Sequence, residues 1–110
     1  MAFDMDNYQY LVKQFKKETA NQMYLLLGLS GEVGELHSKA AKCIRDETPE
    51  DKEALKAELG DVLWFVAMLA DTWDFDLGEV AMDNYLKLKF LNVYSCLSIL
   101  NLADSITSLQ

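Results

Sequence analysis

Apolar residues recur along this chain at spacings of three and four, the period of a helix that packs on one side. From Asn21 to Ile44 the residues Leu25, Leu26, Leu29, Val33, Leu36, Ala40 and Ile44 form such a stripe, predicting a long helix with that face buried. Before it, Tyr10, Leu11, Gln14 and Phe15 make a modest stripe beside Lys13, Lys16 and Lys17. This predicts a first helix capped by Asp6 and reaching Thr19. The run Asp46-Glu47-Thr48-Pro49 breaks the pattern, and Thr48 followed by Pro49 reads as an N-cap with proline at the first helical position. The third helix so opened extends to Asp71 or Trp73. Between Val62 and Ala70 it is apolar on every side, the mark of a central or interfacial helix. Asp76-Leu77-Gly78-Glu79 has the form of a capping box and opens a fourth helix through Val80, Tyr85, Leu86 and Leu88. After Lys89 the polarity drops. Residues 90–110 carry one charge, Asp104, among many apolar side chains, which suggests more core helix or a contact with another subunit.

Composition agrees with helices and sets the scale. The chain has 110 residues, enough for one domain (1–110) with one small core. Its 51% apolar and 25% charged residues are the balance of a soluble globular protein. Five glycines and one proline leave long stretches free for helix, so the expected fold is all-α, a bundle of four to five helices. Gly28, Gly31 and Gly34 fall inside the second helix, where each costs about 0.8–1 kcal/mol relative to alanine. Three together call for a close approach of backbone or ligand. The apolar run of the third helix is too short to span a bilayer, which argues against a membrane partner.

A net charge of −8, from ten Lys and Arg against eighteen Asp and Glu, lacks the footprint of a nucleic-acid binder. Small phosphorylated ligands stay open, because a cation bound among carboxylates reverses the local field. Cys43 and Cys96 fit no metal or redox spacing and read as buried free thiols, consistent with a reducing cytoplasm. Residues 1–10 have neither the basic start nor the long apolar run of a secretion signal.

The chemistry lies in two pairs of acids. Stepping 100° per residue, Glu32 and Glu35 fall about 60° and 120° to one side of Leu29, with Lys39 between them. Glu58 and Asp61 are again three apart, on a face shared with Ala54 and Phe65. Either pair alone is ordinary in a helix, since glutamate is a good helix former. Two pairs on apolar-flanked edges are less ordinary. If those edges pack together, each like-charged pair at about 4 Å costs on the order of 1–4 kcal/mol, and the acids must protonate or hold a cation. Carboxylate oxygens suit a hard ion, Mg²⁺ or Mn²⁺, while the shortage of imidazole and thiolate argues against zinc. A di-iron bundle needs histidine three residues after glutamate on two helices. The one histidine, His37, points about 180° away from the Glu32–Glu35 edge.

The stretch Gly28-Leu29-Ser30-Gly31-Glu32-Val33-Gly34-Glu35, followed after a spacer by Glu58-Leu59-Gly60-Asp61-Val62-Leu63-Trp64, closely resembles the MazG-like all-α nucleotide pyrophosphohydrolases. Twenty-two residues separate Glu35 from Glu58, within that family's range, and Asn84, Lys87, Leu88 and Lys89 look like its later Asn-x-x-Lys-Leu element. The likeness covers roughly residues 20–89. It implies a MazG-type bundle completed by assembly into homodimers or homotetramers. It also implies that Glu32, Glu35, Glu58 and Asp61 bind Mg²⁺, with Mn²⁺ as a substitute, and that Lys39, Asn84 and Lys87 hold a triphosphate. The implied reaction is hydrolysis of a (d)NTP to (d)NMP and pyrophosphate, as in nucleotide-pool housecleaning. A metal-activated water would attack the α-phosphate in line, with Glu35 as the catalytic residue that orients or deprotonates it.

The likeness weakens after Lys89. Where relatives continue with basic text such as Arg-Tyr-Pro, this chain reads Phe90-Leu91-Asn92-Val93 and loses an arginine expected near the phosphates. The alternative is therefore a non-catalytic helical oligomer or nucleotide-binding module that retains the acids. Trp64, Phe65 and Tyr24 are of a type that stacks on a base, but aromatics at helical spacing read first as core. Lys42 and Arg45 read equally as phosphate ligands or as partners of the helix C-terminal dipole.

Overall fold

The computed structural model describes residues 2–107, apart from the side chains of Tyr94, Ser95, Ile99, Leu102, Ala103, Ser105 and Thr107. They form four α-helices, α1 (Met5–Val12), α2 (Gln22–Asp46), α3 (Lys52–Thr72) and α4 (Leu77–Thr107), with a 3₁₀ turn at Lys13–Phe15. There is no strand among the described residues, so the all-α expectation holds. The chain divides into two compact units, Met1–Gly78 and Glu79–Gln110.

Helix α1 is capped by Asp4, whose Oδ1 accepts the Asn7 amide at 2.9 Å, and not by Asp6 as expected. Asp6 lies in the first turn and instead accepts the Gly78 amide at 2.7 Å. The helix also stops well short of Thr19. A continued α-helix would bond the Val12 carbonyl to the Lys16 amide. Here Trp64 Nε1 donates to that carbonyl at 3.2 Å, and the Lys16 amide turns to Lys13 O at 3.0 Å. The backbone then runs extended at Lys16.

Asn21 Oδ1 caps α2 through the Tyr24 amide. The far end overruns the expected stop and closes on Glu47, a left-handed residue with φ 52°, after which the Thr48 amide bonds Cys43 O at 3.0 Å. Thr48 is thereby used to finish α2. Asp51, three residues on, caps α3 by accepting the Ala54 amide at 3.1 Å, so the Thr48–Pro49 start does not form.

Leu25, Phe65, Ala67, Met68, Leu69 and Leu77 make the core of the first unit, with Tyr8, Val12, Leu29, Trp64 and Val66 packed on it. The middle of α3 is central, as its all-round apolar sequence predicts. The α2 stripe is only partly buried. Leu25 is covered, whereas Leu29, Val33, Leu36 and Ala40 are half-buried, Leu26 is exposed and Ile44 is 80% exposed. Close approach accounts for Gly28, since a Cβ there would overlap ring carbons of Phe65, but Gly31 and Gly34 face open space. A buried side-chain amide ties the elements together. Gln9 Nε2 donates to Phe75 O (2.9 Å) and Ala67 O (3.3 Å), while its Oε1 accepts the Leu77 amide at 2.9 Å.

In the second unit α4 runs on as helix through residues 90–107, and Phe90, Leu91, Val93, Leu97, Leu100 and Ile106 are exposed on it. Residues 108–110 of the apolar tail lie outside the described residues. Among the described residues no helix is long and apolar enough to cross a membrane. Both thiols are free, but neither is buried: Cys43 is half-exposed and Cys96 exposed.

Candidate functional site

Packing of α2 on α3 brings three of the four acids together. Glu32, from the edge of the α2 stripe, meets Glu58 and Asp61, one turn apart on α3, and each offers a carboxylate oxygen within 4.8 Å of the others. Their environments are graded. Glu58 is buried at 8% exposure, Glu32 is half-buried and Asp61 is exposed. Glu58 Oε1 is paired with the Lys39 ammonium, and Glu58 Oε2 is buried without any partner. Glu35 is exposed and not part of this group, although its charge is felt by Glu32 and Lys39.

Such crowding shows in the ionisation of the group. Partial burial first, then the charges of Asp61 and Glu58, hold Glu32 above the usual carboxylate range. The bond to Glu58 holds Lys39 above the usual range of a lysine, against a smaller opposing effect of burial. Tyr8 of α1 is also raised, by burial and then by the charge of Asp61. Sequence reading passed over Tyr8; the i, i+4 pair Tyr8 and Val12, which face the core together, was the signal available.

One turn beyond Asp61 on α3, Trp64 borders a cavity of about 300 Å³ lined also by Phe15, Lys17, Thr19, Ala20 and Tyr24. The Trp64 ring meets Phe65 edge-on, with centroids 4.9 Å apart, and Tyr24 lies 6.2 Å from Phe65. Phe65 is core, as read; Tyr24 and Phe15 are exposed. Asn84 and Lys87 sit on α4 in the second unit, three apart and both exposed. Arg45 is occupied by Asp46 through bonds of 2.7 and 2.9 Å, while Lys42 and His37 are exposed.

A family model described as the MazG nucleotide pyrophosphohydrolase domain matches residues 20–91, well over half of the chain. The chain belongs to this MazG family. All seven candidate residues, Glu32, Glu35, Lys39, Glu58, Asp61, Asn84 and Lys87, fall inside the matched MazG segment. The Gene 37 protein of Mycobacterium phage L5 is similar to the chain, with 44% identity over 70 residues that make up 60% of this chain and 61% of that relative. The chain thus spans about three-fifths of that relative's length. No solved structure matches it significantly.

Proposed function

We propose that this MazG-family chain is a Mg²⁺-dependent pyrophosphohydrolase that converts a nucleoside triphosphate to the monophosphate and pyrophosphate. The observation that carries the reading is Glu58, a buried carboxylate with an unpartnered oxygen, set within 4.8 Å of oxygens from Glu32 and Asp61. A buried, unmatched anionic oxygen beside two further carboxylates is costly unless a cation completes it. An all-oxygen donor set fits Mg²⁺, or Mn²⁺ in its place. Bound among Glu32, Glu58 and Asp61, the ion would neutralise and polarise the phosphate chain. Glu35, exposed one turn from Glu32, joins this set or orients the attacking water. Lys39, Asn84 and Lys87 are the cations and amide assigned to the triphosphate.

The cavity beside Trp64 is of a size to take a nucleobase, with Trp64, Tyr24 and Phe15 offering ring faces and Lys17 a charge. A homodimer or homotetramer in the cytoplasm belongs to the same reading, supported by the apolar side chains exposed on α4. Assay of canonical and modified nucleotides for pyrophosphate release tests it. Activity should need Mg²⁺ and vanish in Glu58→Gln, Asp61→Asn and Glu35→Gln; an inactive wild type across the whole panel overturns the enzyme. Calorimetric binding of Mg²⁺–nucleotide without turnover would instead favour the binding module, which the missing basic text after Lys89 suggests.

A further inference from the structure

We propose that the Lys39 ammonium is the resident counter-ion of the carboxylate group and competes with the divalent cation for Glu58, so that cation loading releases Lys39. The inference rests on the cation reading given above. Three carboxylates with oxygens within 4.8 Å of one another repel, and Lys39 puts a positive charge against the most buried of them. Its position on α2 makes this contact natural. Lys39 lies two turns after Glu32, and a helical side chain leans toward the N-terminus of its own helix, which carries the ammonium back toward Glu58.

The pairing is one-sided. Lys39 satisfies Oε1 and leaves Oε2 with nothing, so a single positive charge does not complete the site, whereas a divalent ion meets both the charge and the orphaned oxygen. Lys39 is itself half-exposed and has solvent to move into. Its release has a functional consequence, because a lysine locked on Glu58 is unable to meet a phosphate. The cation must therefore load before the ammonium becomes free for the triphosphate, giving an ordered site.

The experiment is a Mn²⁺ titration, followed by electron paramagnetic resonance of the free ion, on the full chain as wild type, Lys39→Met and Lys39→Arg. Removing one nearby positive charge should tighten Mn²⁺ binding in Lys39→Met by at least about fivefold, while Lys39→Arg stays near wild type. With chelator present, Lys39→Met should melt below wild type, since the buried Glu58 loses its partner, and Mn²⁺ should restore the loss. Equal or weaker Mn²⁺ binding in Lys39→Met overturns the competition and leaves the cation site standing. Absence of Mn²⁺ binding in every variant overturns both the competition and the proposed enzyme.

Discussion

Gly28, Gly31 and Gly34 are the same residue at the same three-residue step, yet the ring of Phe65 occupies the space beside Gly28 alone. Gly28→Ala forces the buried ring aside and should destabilise by about 1–3 kcal/mol, more than the roughly 1 kcal/mol gained in helix propensity. Gly31→Ala and Gly34→Ala meet nothing and should stabilise by about 0.5–1 kcal/mol each. Urea denaturation followed by circular dichroism separates the two outcomes. The sequence marked all three glycines as unusual but could not rank them, because the difference lies in a contact from another helix. The same limit applied at the site. Spacing placed Glu32, Glu58 and Asp61 on edges that the packing of α2 on α3 brings together, whereas the capture of Glu58 by Lys39 and the exposure of Glu35 depend on how α2 meets α3.

Helix types and order were legible because the 3.6-residue period is long and repeated; helix ends were not. Thr48–Pro49 read as the start of the third helix, but the left-handed closure at Glu47 took Thr48 and left Asp51, three residues on, to cap. Likewise α1 stops early because Trp64, fifty-two residues on, claims the Val12 carbonyl. The corner between α3 and α4 depends on an amide from a third element. Gln9→Leu preserves bulk but strips partners from Ala67 O, Phe75 O and the Leu77 amide, so melting should reveal a loss of about 2–4 kcal/mol.

At the scale of the molecule, the apolar character of residues 90–107 was visible in the sequence, but a helix exposing Phe90, Leu91, Val93, Leu97 and Leu100 was one of two outcomes it allowed. The exposed outcome sets an expectation for assembly. Light scattering should give two or four times the protomer mass, and Leu97→Glu with Leu100→Glu should lower it; a wild-type monomer would remove this part of the reading. Trp64 adds an optical consequence. Its indole is half-buried, bonded to Val12 O and pressed edge-on to Phe65, while Trp73, the other tryptophan, is exposed. In Trp73→Phe the remaining emission should be blue-shifted, and a nucleotide base entering the cavity beside Trp64 should quench it. The chain thus carries its own fluorophore at the wall of the cavity, able to report occupancy in real time without a label.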